Sequence, residues 1–229
     1  MRELIKPHWA LPLEQLQKSE RILEKKKDDA FRPISVKVGV FEESRGSAYV
    51  EMGQTKVLVE IEGPRESPAA GSQRGLLTVH LDAEELRIRA EMESALSAIV
   101  QLDKYPRAEF VIKISLLSLS GGELAACLMA STLALVHAHV EMMDVAVAAH
   151  VAVLPGGSFI VDPPSPLPKD ASSVTVAVMP NLNQSICTDI RGALTMAQAK
   201  AALEYTTRQA LRLHPLMRRS ITAAYQEKK

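Results

Sequence analysis

Glu109-Phe110-Val111-Ile112-Lys113-Ile114-Ser115-Leu116-Leu117-Ser118-Leu119-Ser120-Gly121-Gly122 leads directly into Glu123-Leu124-Ala125-Ala126-Cys127-Leu128-Met129, and this passage decides the fold. The Val- and Ile-rich run from Glu109 to Leu119 reads as a β-strand. Two glycines then free the backbone for a sharp turn. The helix that follows, from Glu123 to about His139, is apolar almost all round, with Leu124, Ala125, Ala126, Cys127, Leu128, Met129, Leu133 and Leu135. A helix with no polar face must be enclosed by protein, so it is predicted to be central and buried. Strands packed around such a helix define an α+β layered fold.

On the N-terminal side, Ile34–Phe41, Ala48–Met52 and Thr55–Ile61 read as three strands joined by turns at Glu42–Gly46 and Gly53-Gln54, an antiparallel meander. Gly63-Pro64-Arg65-Glu66-Ser67-Pro68 ends that run, and a polar loop at 69–74 precedes the strand Gly75–Leu81. Asp82-Ala83-Glu84-Glu85 has capping-box spacing. The helix after it places Leu86, Met92, Leu96 and Ile99 on one stripe, and Lys104-Tyr105-Pro106 breaks it. On the C-terminal side, Asp144–Leu154 and Ser158–Val161 read as strands, then a proline-rich connection from Asp162 to Asp170. A hairpin of Ser173–Met179 and Gln184–Thr188 follows, then an amphipathic helix over 196–212 capped by Thr195, with Met196, Ala199, Leu203 and Ala210 on its apolar face. Residues 1–31 read as a polar arm with a short helix at Leu13–Leu23 and a lone Trp9. Residues 32–214 form the folded body, and 215–229 a solvated tail.

The chain has 229 residues, 47% hydrophobic and 24% charged, as in globular proteins. Its 27 Lys and Arg balance its 27 Asp and Glu, so any contact with nucleic acid must come from a local patch. Cys127 and Cys187 offer no metal-ligand spacing and read as buried reduced thiols. The histidines form no ligand set: His137 and His139 sit near a helix end, His80 and His150 in strands. Neither a metal nor another cofactor is expected. No apolar run is long enough to cross a bilayer, and MRELIKPHWALPLEQLQ lacks the apolar core of a signal peptide, so a soluble intracellular protein with no membrane partner is expected.

The glycine pair carries the candidate chemistry. A helix N-terminus exposes unpaired N–H groups and the positive end of the helix dipole, which together favour an anion. Glu123 repels phosphate there, and Leu124 can donate no hydrogen bond. Glu123 therefore reads as interacting with the dipole and Leu124 as packing into the core.

Over roughly residues 32–212 the chain resembles the RNase PH family. The resemblance begins at Arg32-Pro33-Ile34 and runs through Gly46-Ser47-Ala48-Tyr49-Val50-Glu51-Met52-Gly53-Gln54-Thr55-Lys56-Val57. Gly63-Pro64-Arg65-Glu66 is similar to a loop of exosome and archaeal ring subunits. Val140-Glu141-Met142-Met143-Asp144 and Val178-Met179-Pro180-Asn181-Leu182-Asn183-Gln184 resemble segments of the eukaryotic RNA exosome ring. The resemblance implies an RNase PH-like fold and a six-membered ring of three heterodimers around a channel. Cap subunits with RNA-binding domains cover one face, and RNA threads to a separate hydrolytic nuclease. It implies pairing with another RNase PH-like subunit, and work in the nucleus, nucleolus and cytoplasm. Active members carry Gly-Gly-Thr-Arg where this chain has Gly121-Gly122-Glu123-Leu124, which the resemblance makes a degenerate phosphate site. A non-catalytic structural subunit is therefore expected rather than a phosphate-dependent 3′-to-5′ exoribonuclease, which would need a replacement arginine; none is evident at matching spacing.

The family's aspartate pair is matched by Asp162 and less closely by Asp170, with Pro163-Pro164-Ser165-Pro166-Leu167-Pro168 between them. Two carboxylates could hold a hydrated Mg²⁺ weakly, but the simpler reading ends a strand at Asp162 and caps a loop with Asp170. Arg65 and Arg74 are the RNA-contact candidates. The alternative for Arg65 is a surface ion pair, with Glu66 the nearest partner. Arg87 and Arg89 read as surface charges.

Overall fold

Strand pairing divides the protein into two sheets around one helix. The computed structural model describes residues 29–82 and 86–226. The expected helix at Leu13–Leu23, Trp9, most of the N-terminal arm, the Ala83–Glu85 part of the capping box and Lys228-Lys229 lie outside the described residues.

Strands β1 (Ile34–Val38), β2 (Gly46–Met52) and β3 (Thr55–Glu66) form the expected antiparallel meander. β5 (Ala108–Ser118) pairs with β3 antiparallel, and β4 (Leu76–Leu81) adds parallel to β5, giving the order β1-β2-β3-β5-β4. The second sheet has the order β7-β6-β8-β9, with β6 (Val147–Val153), β7 (Phe159–Val161), β8 (Ser172–Met179) and β9 (Gln184–Arg191) all antiparallel.

Helix α1 (Leu86–Ile99) lies against β4 and buries Ile88, Met92, Leu96 and Ile99. Helix α2 (Glu123–His137) packs on β2 and β3 of one sheet and on β6 and β8 of the other. That double contact explains why nearly all its residues are apolar. Helix α3 (Met196–Arg212) covers β6 and β8, so β8 has helices over both faces and is buried throughout, as a continuous apolar run requires. Gly46 marks how closely β2 approaches α2: a Cβ there would lie 2.3 Å from the Ala134 carbonyl oxygen and 2.6 Å from the Ala138 Cβ.

Three expectations need correction. Gly63-Pro64-Arg65-Glu66 does not end the third strand: after an irregularity between Glu62 and Arg65, β3 continues to Glu66 because β5 is long enough to pair with it there. The C-terminal tail is in large part a helix, α4 (His214–Gln226), which packs on β1 and α2 and buries Met217. Leu213, Met217, Ile221 and Ala224 give it an apolar stripe at helical spacing that the arginines at 218 and 219 obscure. In α3, Met196 is 86% exposed; the buried face is Ala202, Thr206, Gln209 and Ala210. Small residues occupy it because α3 lies close on the β6–β8 surface. Thr195 caps the helix with a full capping box to Gln198. Cys127 is buried and Cys187, expected to be buried too, only partly so; neither forms a disulfide among the described residues.

Candidate functional site

β5 ends at Ser118, and Gly121 and Gly122 turn the chain into α2 with left-handed φ of 90° and 74°. Gly121 has no room for a side chain: a Cβ would lie 2.5 Å from the Pro163 carbonyl oxygen. Gly122 is the N-cap of α2 and offers no capping side chain. The Glu123 carboxylate instead folds back on the turn and accepts the N–H of Gly121, the residue before the N-cap, at 2.8 Å. An N–H that could serve a bound anion is thus already paired with the chain's own carboxylate. Leu124 is 3% exposed and belongs to the core, as expected.

The other side of the loop is held by Arg32, which the sequence marked only as the start of the body. Its Nε and Nη2 donate to the two oxygens of Asp162 at 2.8 and 2.5 Å, and its backbone N–H adds a third bond at 3.1 Å. Nη1 donates to the Ser120 carbonyl at 2.6 Å and Nη2 to the Gly121 carbonyl at 2.9 Å. The Thr55 hydroxyl donates to the same Gly121 carbonyl at 2.7 Å, and Ser165 N–H to the Ser120 carbonyl at 3.1 Å. Arg32 therefore faces carbonyl oxygens and a carboxylate, with its charge neutralised in a fully buried pair. It fixes the loop's shape without presenting a cation to a ligand.

A cavity of about 240 Å³ opens beside the glycine pair, lined by Glu123, His150 of β6, Ser173 and Thr175 of β8, and Arg191 at the end of β9. His150 Nδ1 lies 2.8 Å from the Thr175 hydroxyl. Burial pushes the His150 pKa below its ordinary 6.5, outweighing the nearby Asp162 and Glu123 carboxylates, which act the other way. The imidazole is thus neutral near pH 7 and adds no positive charge. Arg191 Nε is held at 2.7 Å by Asp189, a buried carboxylate that Arg87 also engages. The sequence reading missed His150 and Arg191 as wall residues, since β6 and β9 meet the glycine loop only in the folded chain. It also treated Arg87 as a plain surface charge, whereas Arg87 helps anchor Asp189.

The expected aspartate pair does not form a metal site. Both oxygens of Asp162 are taken by Arg32, and Asp170 is exposed and does not line the cavity. Among the described residues no group of three or more His, Cys, Asp or Glu could hold a metal ion.

Arg65 and Arg74 lie near one end of the five-stranded sheet. Arg65 is 54% exposed and donates to Glu109 at 3.1 and 3.2 Å. Its partner is therefore the cross-strand Glu109, not Glu66, because β3 and β5 place 65 opposite 109. Burial raises the Glu109 pKa, but bonds from Arg65, Ser67 and Thr78 outweigh it and hold the carboxyl below its usual range. Arg74 donates to the Ser97 carbonyl at 3.3 Å and lies 3.7 Å from Asp103. Exposed pairs of this kind contribute about 0–1 kcal/mol, so either arginine can exchange its partner for a phosphate at small cost.

One mixed and one antiparallel sheet enclose a buried helix with a glycine pair at its N-terminus, a framework that known proteins share. The model of the 3′ exoribonuclease family, domain 1 (RNase PH), matches residues 30–141. Human exosome complex component MTR3 is 32% identical over 228 residues, covering 84% of this chain and 83% of the human protein. The chain belongs to the RNase PH family. Among solved structures, rice (Oryza sativa) Rrp46 superposes with a TM-score of 0.78 at 20% identity, over 87% of this chain and 99% of that one. The Archaeoglobus fulgidus exosome with RNA bound to the active site gives 0.69 at 18% identity, over 89% and 99%. At those identities the likeness is one of fold.

Proposed function

We propose that the chain is a non-catalytic subunit of an RNA exosome core ring. It shapes the RNA path and holds neighbouring RNase PH-like and cap subunits while 3′-to-5′ processing and degradation occur elsewhere in the assembly. The carrying observation is the Glu123 carboxylate bonded to Gly121 N–H at 2.8 Å, with Leu124 buried behind it. Phosphorolysis needs inorganic phosphate held in line with the RNA terminus by donors and positive charge. Here a fixed anion sits at the helix N-terminus and the nearby imidazole is neutral. The names of the human MTR3 relative and of the archaeal exosome neighbour support the ring assignment and RNA as a partner. Such a subunit works in the nucleus, the nucleolus and the cytoplasm. Arg65 and Arg74 are the residues assigned to RNA backbone contact.

One observation favours the alternative, an active phosphate-dependent exoribonuclease completed by a partner: Arg191 lines the cavity and could supply the cation. A single experiment separates the two. The chain is purified with its associated subunits, characterised by native mass spectrometry and incubated with labelled RNA and inorganic phosphate. The structural reading expects a hetero-oligomer whose release of nucleoside diphosphates, if any, is unchanged by Arg191→Ala. It also expects weaker RNA protection in Arg65→Glu with assembly intact. Phosphate-dependent release abolished by Arg191→Ala would establish the alternative, and a stable lone monomer would remove the ring assignment.

A further inference from the structure

Residues 196–226 hold five cations, Lys200, Arg208, Arg212, Arg218 and Arg219, against one carboxylate, Glu204, in a chain whose total charge is zero. Arg212 pairs with Asp29 at 3.4 Å. The other four make no ion pair among the described residues, and all four are exposed. Lys37, Arg45, Arg107 and Lys169 are likewise exposed and make no ion pair among the described residues, but Lys200, Arg208, Arg218 and Arg219 fall together on two consecutive helices.

Their placement follows helical geometry. α3 buries Ala202, Thr206, Gln209 and Ala210 against the second sheet, which turns Lys200, Glu204 and Arg208 outward on the opposite side. Lys200 and Arg208 are two turns apart, about 12 Å along the axis. α4 buries Met217, so Arg218 and Arg219 point outward in a surface shared with Pro215, Thr222, Ala223 and Gln226. A protein interface would need a desolvated apolar or aromatic centre. This α4 face has only small and polar side chains between its arginines. Exposed cations without ion pairs on a polar surface are suited to phosphates, where affinity comes from releasing counterions and needs no apolar contact.

We propose that the outward faces of α3 and α4 form an RNA-backbone binding surface, separate from the glycine-pair cavity and from the Arg65–Arg74 end of the sheet. Lys200, Arg208, Arg218 and Arg219 make sequence-independent phosphate contacts there. The surface does not depend on the ring assignment, because it needs only this chain.

The test uses the full chain and fluorescein-labelled polyuridine, with affinity measured by anisotropy from about 50 to about 200 mM salt. Arg218→Gln with Arg219→Gln, and separately Lys200→Gln with Arg208→Gln, are compared with Arg65→Gln. Each double variant is expected to weaken binding at low salt and to lower the slope of log affinity against log salt by about 1.4, near 0.7 for each lost contact to a single strand. The four positions are exposed, so thermal melting should be unchanged, and that measurement separates lost contacts from misfolding. Unchanged affinity and slope in both double variants would overturn the proposal, whatever Arg65→Gln does. If the double variants instead lose co-purifying subunits while RNA affinity holds, the face is a protein interface and the proposal also fails.

Discussion

Replacing Asp162 by alanine leaves the Arg32 guanidinium, 1% exposed, in the interior without its counter-charge. Three bonds disappear at once: Nε at 2.8 Å, Nη2 at 2.5 Å and the backbone N–H at 3.1 Å. Removing one partner of a buried ion pair costs about 3–5 kcal/mol, mainly because the surviving charge is desolvated and unpaired. Arg32→Ala is expected to cost a similar amount, since it orphans the carboxylate and removes the donors to the Ser120 and Gly121 carbonyls. Set against a total stability of about 5–15 kcal/mol, either change is large. At roughly 2–4 °C per kcal/mol for a chain of this size, the melting temperature should fall by about 6–20 °C. Asp162→Asn, which keeps a carbonyl oxygen, belongs at the low end. Arg32→Ala combined with Asp162→Ala removes both charges and should cost clearly less than the two single losses added together. Denaturant unfolding of the four variants, read by circular dichroism, gives the complete cycle. Losses below about 1 kcal/mol in both single variants, or strict additivity in the double, would refute the claim that this pair anchors the glycine loop.

The Glu123→Thr, Leu124→Arg variant is expected to release no nucleoside diphosphate from RNA in phosphate buffer. Asp162 stays committed to Arg32, and the Leu124→Arg side chain would have to enter the core from the first turn of α2. Measurable phosphorolysis in that variant would show that the first turn of α2 alone had blocked activity. For His150 the sign is set by a folded-state pKa lowered below the ordinary 6.5. Below about pH 6.5 the unfolded chain binds the proton more readily, so stability is complete above that value and declines as pH falls towards the folded pKa. His150→Gln should flatten the acid side of a melting-temperature profile between about pH 5 and pH 7. An identical slope in the variant would show that folding leaves the His150 pKa where the unfolded chain has it.

The strand from Glu109, the glycine pair and the all-apolar helix were readable because each depends on neighbours in the chain: β-propensity, backbone freedom and helical periodicity. Glu123 and Leu124 were readable for the same reason, since their chemistry at a helix N-terminus follows from position alone. The C-terminal helix was misread because consecutive arginines at 218 and 219 masked the Leu213, Met217, Ile221, Ala224 stripe. The partner of Arg65 was misjudged because strand register, not sequence proximity, set it opposite Glu109. Arg32 had a visible signal, a charge between Phe31 and Pro33-Ile34 where a strand enters the core. Its pairing with Asp162, 130 residues away and read as the end of a strand, had none.

Local sequence, then, determined the strands and helices, their layering around an enclosed helix, and an unusual acid beside the glycine pair. Tertiary structure alone decided that this acid bonds the Gly121 N–H, that Arg32 turns its charge onto Asp162 and the loop carbonyls, and that Arg191 stands in the cavity wall. The reason is range. Propensity and periodicity act over a few residues, whereas desolvation and ion pairing depend on which distant segments the two sheets bring together.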